Sequence, residues 1–325
     1  MTDSPIRVGV IGVGSMGQHH ARVYNELSDA DLVGIHDVDT AQAEEIAEQY
    51  GTDVWPIDEL ISKVDAVSIA VPTQYHHDIA KKCLERDVAV LLEKPLVADP
   101  ERGEKLVELA AERDLPLQVG HIERFNPAVE TLAEIVPQLD IVAIEARRLG
   151  PDPGREIKDS VVADLMIHDL DVVLSLVDSD IESVQSSGTA EGSYATSTIG
   201  FVDGTVASLT ASRKTQQKIR ELAVTTEDRL IKVDYLDQSV EIHRQSAPEY
   251  ITDDGDIRYR HESIIERPVV DNVEPLKNEL RSFLETVRTE DEPVVTGAEG
   301  LDVLRWINEI DEQAFEEDQA FEEDQ

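Results

Sequence analysis

Three glycines constrain the start of this chain more than any other feature. Gly12, Gly14 and Gly17 form the pattern G-x-G-x-x-G directly after the apolar run 6–11. In that context the first glycine allows a tight turn, the second lets a diphosphate approach the backbone, and the third lets a helix pack closely on the strand. Val13, Ser15 and Met16 complete the loop at the head of the helix, where N–H groups and the positive dipole end suit phosphate. The second apolar run ends at Asp37, 20 residues past Gly17, where a carboxylate accepts hydrogen bonds from a ribose. A 2′-phosphate would meet the same negative charge, and no arginine or lysine follows in Val38-Asp39-Thr40. The cofactor expected is therefore NAD rather than NADP.

The pattern continues from that motif. Strands are expected at 6–11, 32–37, 66–71, 88–92 and 117–119, with helices at 16–27, 40–50, 76–86 and 100–113. Short apolar runs alternating with helices predict an α/β fold with a doubly wound parallel sheet of Rossmann type. Beyond that, a strand at 141–148 and a helix at 160–177 precede strand-like segments between 181 and 265. Turn signals fall at Val202-Asp203-Gly204 and Asp253-Asp254-Gly255. Strands without intervening helices predict a second, antiparallel sheet. Helical spacing returns at 276–288 and 298–313. A chain of 325 residues suggests two domains. The boundaries expected are 1–125 for a nucleotide-binding domain and 126–313 for a substrate and oligomerisation domain, with the C-terminal helices packing back on the first. Residues 314–325 repeat one hexamer and are expected to be a solvated acidic tail.

Charge excludes several partners. With 69 Asp and Glu against 29 Lys and Arg, the formal net charge is −40, a field that repels nucleic acid and anionic membrane. No apolar run approaches the ~20 residues of a bilayer span. The polar start, Met1 to Pro5, leads straight into a strand and leaves no room for a signal peptide. Cys83 is the only cysteine, which fits a reducing compartment and a cytoplasmic location. The carboxylates are spread along the chain rather than gathered in a block. That distribution predicts a protein suited to concentrated salt, where screening over a few ångströms removes self-repulsion.

Three clusters carry candidate chemistry. Val71-Pro72-Thr73-Gln74-Tyr75-His76 follows a strand, at the sheet edge where ligands of such folds bind. Glu93-Lys94-Pro95 follows the next one, and Pro95 restricts the backbone of Lys94. Asp164, His168 and Asp171 are spaced by four and three, which places them on one face of a helix. Oxidation of an alcohol needs a base for the hydroxyl proton, and either a lysine desolvated beside a cationic ring or a histidine qualifies. Glu93 and Lys94 also suit a surface ion pair, and Asp164 and His168 an i,i+4 helix pair or two ligands of a metal, although no third ligand is evident and no metal is expected.

Together these motifs resemble the glucose–fructose oxidoreductase and inositol dehydrogenase family (Gfo/Idh/MocA) over about residues 5–313. The resemblance implies a Rossmann domain followed by an α/β domain on a large, open, mostly antiparallel sheet. It implies that Lys94 and His168 handle the proton, that Asp164 binds or orients substrate, and that Glu93 contacts the nicotinamide ribose. Val71, Pro72, Thr73 and His76 would line the dinucleotide crevice, with Arg124 and Asn126 near the nicotinamide. The words around 121–129 and 164–169 are most similar to UDP-N-acetylglucosamine 3-dehydrogenases, although Met166 stands where many relatives carry glycine. A UDP-sugar would also need cations; Arg124, Arg147, Arg148, Arg155, Arg213 and Lys214 are candidates. The alternatives are a dehydrogenase of a free sugar or inositol, or an NAD-dependent glycosidase without net redox change. The resemblance further implies a homodimer or homotetramer, formed through an apolar open sheet face.

Overall fold

Only Arg7 of the six residues of β1 (Ile6–Ile11) reaches solvent, because the strand lies inside a parallel sheet covered on both faces. This computed structural model describes residues 4–154, 157–189, 191–246, 249–253, 256–260 and 262–315. The chain divides into two compact units, Met1–Phe125 with Glu274–Trp306, and Asn126–Val273 with Ile307–Gln325. In the first unit α1 (Gly17–Glu26) follows β1. The elements β2 (Ala30–His36), α2 (Thr40–Tyr50), β3 (Asp53–Val54), α3 (Ile57–Ile61) and β4 (Ala66–Ile69) come next. Then come α4 (His76–Leu84), β5 (Ala89–Glu93), α5 (Pro100–Arg113) and β6 (Leu117–Gly120). All pairings are parallel, in the order β3-β2-β1-β4-β5-β6. The order reverses between β1 and β4, so their C-terminal ends form the crevice where such sheets bind ligands. Helix α1 turns His20, Ala21, Val23 and Tyr24 into the core, and the Tyr24 hydroxyl meets Ser68 Oγ at 2.8 Å. Burial pushes the Cys83 thiol up to about 12, which leaves it uncharged and unreactive.

The second unit begins with α6 (Pro127–Ile135) and β7 (Ile141–Leu149). A single π-helical segment, Val162–Met166, runs directly into α7 (Ile167–Leu176). The remaining strands are β8 (Ile181–Gly188), β9 (Tyr194–Phe201), β10 (Val206–Ser212), β11 (Ile219–Thr226), β12 (Arg229–Asp234) and β13 (Ser239–Gln245). The hairpin β14 (Glu249–Asp253) and β15 (Asp256–Arg260) stands apart, before β16 (Ser263–Glu266). Eight strands form one sheet, β16-β13-β12-β11-β7-β10-β9-β8, in which only β7 and β10 run parallel. The fold class is thus α/β, with a parallel Rossmann sheet and a larger, mostly antiparallel one. One face of the larger sheet presents Ile144, Leu209, Leu222, Val224, Ile231 and Val233, all buried. Helix α6 packs on β12 and β13, and α7 packs on β7 and β10.

The other face of that sheet is not apolar. Alternation turns Glu145, Arg147, Ser208, Glu221, Lys232 and Glu241 towards it, with Glu221 and Glu241 half-buried and the others exposed. The register sets Arg147 opposite Glu221 and Lys232 opposite Glu241, complementary cross-strand neighbours. That face is therefore mixed, with Val206 and Ile265 exposed beside these charges, rather than uniformly apolar.

Two helices close the chain. Helix α8 (Pro275–Thr289) adds Leu276, Leu280, Phe283 and Leu284 to the core of the first unit. Helix α9 (Gly297–Phe315) runs two residues into the segment expected to be a solvated tail. Ala314 is buried, and the Phe315 ring lies against Gly188, which has no Cβ to obstruct it. Residues 316–325 and the turn residues Asp254 and Gly255 lie outside the described residues. The short elements β3 and α3 escaped sequence reading because two and five residues are too few to establish a period.

A buried ion pair ties α7 to the sheet. The Arg148 guanidinium on β7 donates to both Asp169 oxygens, at 2.8 and 2.9 Å, with each side chain only 3% exposed. Removing one partner strands a desolvated charge, which typically costs ~3–5 kcal/mol. Arg148→Ala is expected to lower unfolding free energy by about that amount in chemical denaturation. Arg148→Met combined with Asp169→Leu should recover most of the loss. A single variant as stable as the parent would show that the pair does not hold the helix.

Candidate active site

The glycine loop has the geometry of a dinucleotide cradle. Gly12 has φ +87°, and a Cβ there would lie 2.7 Å from the Ala70 carbonyl oxygen. At Gly17 a Cβ would lie 1.7 Å from the Gly12 oxygen, so the helix can approach the strand only without one. Gly14 is different: nothing lies within 4 Å of its missing Cβ, so the loop faces open space there. Ser15 and Met16 are exposed, and no side chain caps the head of α1. Asp37, just past β2, accepts from Val13 N at 2.7 Å and from Asp39 N at 2.9 Å. A carboxylate has about four lone-pair sites, so capacity remains for a ribose diol. An open, uncapped helix head beside a ribose-binding carboxylate fits NAD. When bound, NAD supplies a nicotinamide that accepts or returns a hydride.

Two strand ends carry the next group. Val71, Pro72 and Thr73 follow β4 at the crevice. His76 was expected to line it, but is 1% exposed and uses both ring nitrogens on backbone. Nε2 lies 2.8 Å from Val71 O, and Nδ1 lies 3.0 Å from Pro95 O. It stitches the loop after β4 to the loop after β5, and this is a structural task. Glu93 ends β5 with its side chain over Gly120, where a Cβ would lie 3.2 Å from Oε2. Its Oε1 meets Nε2 of the buried His20 at 3.0 Å. Lys94 is half-buried, and its backbone N–H donates to Glu93 Oε2 at 3.3 Å. His121, just past β6, is pushed down to about 3 by burial, with the charges of Lys94 and Arg124 acting in the same direction. It is therefore a neutral imidazole throughout the working pH range. Arg124 pairs with Glu299 at 3.3 Å and donates to Val294 O at 3.1 Å.

In the second unit, Asn126 is buried and its amide is engaged by the fold. Oδ1 caps α6 by accepting from Ala128 N at 3.1 Å, and Nδ2 donates to Tyr235 O at 3.1 Å. It therefore holds the head of α6 to the backbone at Tyr235. Asp164 lies in the π-helical segment, so the α-helical spacing argument from Asp164 to His168 does not apply as drawn. Both residues are nevertheless half-buried, while Asp171 is fully buried. Arg213 pairs with Asp164 at 2.7 Å and donates to Asp159 O at 2.8 Å, which fixes the carboxylate in place. His168 immediately precedes Asp169, so the Arg148 clamp also sets the start of the helix that carries it. The Arg148 guanidinium stacks 5.2 Å from the Tyr235 ring centre.

Among the described residues, no group of three His, Cys, Asp or Glu could hold a metal, and no helix is long and apolar enough to cross a membrane. Arg155 lies outside the described residues. Arg147 is paired with Glu221, and Lys214 lies 3.4 Å from Glu191. Sequence reading did not single out His20, though it sits three residues past Gly17, one helical turn from the loop. It gave His121 no task, because a histidine after a strand carries no period.

The model of an oxidoreductase family with an NAD-binding Rossmann fold matches residues 6–121. The chain is 36% identical over 250 residues to a UDP-N-acetylglucosamine 3-dehydrogenase of Acidithiobacillus ferrooxidans, covering 74% of this chain and 78% of that protein. A solved structure of that dehydrogenase superposes with a TM-score of 0.85 at 32% identity, over 95% of this chain and 97% of the other. An inositol 2-dehydrogenase of Rhizobium meliloti is 28% identical over 320 residues, 92% of this chain and 94% of that protein. The chain belongs to the Gfo/Idh/MocA family of NAD-binding oxidoreductases.

Proposed function

We propose that this protein oxidises the 3-hydroxyl of UDP-N-acetylglucosamine with NAD. The observation that carries the reading is the 36% identity to a dehydrogenase of that name. The site residues supply a task for each part of the reaction. The first unit holds the cofactor through Gly12, Gly14, Gly17 and Asp37, with Thr73 and Glu93 at the nicotinamide end. His20 holds Glu93 in position. The carbon loses its hydrogen as a hydride to the nicotinamide, and the hydroxyl proton goes to Lys94 Nζ, with His168 as second proton carrier. Asp164, fixed by Arg213, accepts hydrogen bonds from sugar hydroxyls. A second reading, oxidation of a free inositol, is favoured by the relative matched over 92% of the chain. Activity with NAD and NADP against UDP-sugars, free sugars and inositols separates them: turnover of inositols alone would remove the sugar-nucleotide reading.

The proposal extends to the surroundings. The even spread of 69 carboxylates supports a working medium of concentrated salt. The single buried thiol and the use of NAD support the cytoplasm. Family membership supports a homo-oligomer, whose interface must tolerate a polar sheet face if it uses one.

Lys94→Ala is expected to lower kcat by ~10²–10⁴-fold, the usual range for losing a general base. NAD affinity, read by NADH fluorescence, should shift far less. Near-normal turnover in that variant would take Lys94 out of the chemistry. Gly14→Ala, having no steric conflict in the free protein, should keep the parent's melting temperature and lose NAD affinity. Tight binding in that variant would place the diphosphate elsewhere. Melting temperature should rise from dilute buffer to molar KCl as surface repulsion is screened, and a fall would refute the salt-adapted reading.

A further inference from the structure

The π-helical segment that carries Asp164 is fastened at its head by a residue 151 positions further along the chain. Single π turns are rare in helices and are found often at functional sites. Here the bonds that hold one converge on Ser160, just ahead of Val162–Met166. Ser160 Oγ accepts from Ala163 N at 3.1 Å and donates to the Asp311 carboxylate of α9. Its carbonyl oxygen accepts from Asp164 N at 3.0 Å and from the Arg213 guanidinium at 3.4 Å. The next residue, Val161, donates its N–H to Gly192 O at 2.9 Å. Arg213 also reaches Asp164 Oδ2, at 2.7 Å. Asp164 is thus set twice, by its backbone through Ser160 and by its side chain through Arg213.

Packing does not account for Asp311. It is half-buried and lies one helical turn before Phe315, whose ring against Gly188 already seats the end of α9. Burial raises the Asp311 carboxyl, the Ser160 bond opposes the rise, and the charges of Asp159 and Glu312 add to it. A carboxylate partly withdrawn from water beside two others is unfavourable for stability alone. What it provides is a fixed acceptor for the Ser160 hydroxyl, which leaves an Oγ lone pair aimed at Ala163 N. We infer that Asp311 is a positioning residue: through Ser160 it holds the π turn in the winding that places the Asp164 carboxylate. Asp164 lines a cavity of about 280 Å³, and a change of winding would turn its side chain about the helix axis. The inference rests on the reading above that Asp164 meets sugar hydroxyls, but the hold itself can be measured without substrate.

The test uses the full chain with NAD and the variants Asp311→Ala, Asp311→Asn and Ser160→Ala. Glu309→Ala, which removes an exposed carboxylate from the same helix, is the control. UDP-N-acetylglucosamine and myo-inositol are the substrates, and hydrogen exchange read by mass spectrometry follows the amides of 161–168. Asp311→Ala and Ser160→Ala are expected to lower kcat/KM for whichever substrate the parent oxidises by about tenfold or more, the scale on which small misplacements act. KM for NAD should stay within about twofold of the parent. Exchange at 161–168 should quicken in both. Asp311→Asn keeps an acceptor for Ser160 and should recover most of the activity, while the control matches the parent. Ser160→Ala carries the comparison if Asp311→Ala does not fold. A role in stability alone would lower the melting temperature and leave kcat/KM of the folded enzyme unchanged, and that result overturns the inference. So does unchanged exchange in the alanine variants, or an equal loss of activity in Asp311→Asn and Asp311→Ala. If neither substrate is oxidised while exchange quickens as stated, the hold on Asp164 stands and the function proposed above fails.

Discussion

A chain with 40 more carboxylates than cations has to bind a dinucleotide that itself carries two negative phosphates. The first unit meets that constraint without side-chain charge. Its cradle offers backbone N–H groups and the dipole of α1, placed by Gly12 and Gly17 where side chains would intrude and by Gly14 where the loop is open. Partial charges of that kind belong to the fold and survive any surface composition. Asp37 then adds a further carboxylate, tolerable because it accepts from the backbone N–H groups of Val13 and Asp39.

Fixed side-chain geometry in both units relies on pairs withdrawn from water. His20 holds Glu93 from the first turn of α1, so the helix that follows the glycine loop also sets the carboxylate beside Lys94. Arg148 holds Asp169, the residue next to His168, and Arg213 holds Asp164. Buried pairs of this type add little net stability over an apolar replacement, yet losing one member is costly. Their benefit is orientation. A carboxylate locked by a forked guanidinium presents its remaining lone pairs in one direction only.

The fold was legible wherever a period could be established. The G-x-G-x-x-G turn, Asp37 and the alternation of strands and helices define the first sheet, because each depends on local spacing. The mostly antiparallel sheet was legible as a class, but not its outer face. Residue alternation there gives Glu145, Arg147 and Glu221, and the expectation of an apolar surface came from likeness rather than from those residues. The roles of His76 and Asn126 were not legible, because a motif names a side chain without saying which backbone groups need it. Both residues sit in quoted motifs and both turn out to satisfy carbonyls and amides of the fold. The π-helical segment at Val162–Met166 was hidden for a related reason: periodicity assumes a uniform turn, and one widened turn breaks it.

Salt separates the charge pairs that position the site from those that do not. At molar ionic strength the Debye length falls to about 3 Å, so exposed charges barely interact while desolvated ones keep their attraction. Arg7–Asp65 and Arg305–Glu104 have side chains about half exposed, and pairs of that kind contribute ~0–1 kcal/mol even in dilute buffer. His20–Glu93 and Arg148–Asp169 are almost wholly buried. The surface can therefore vary in charge without disturbing Lys94 or His168, provided these inner pairs stay dry. The acidity of the chain and the geometry of its chemistry are in this sense independent, and burial is what keeps them so.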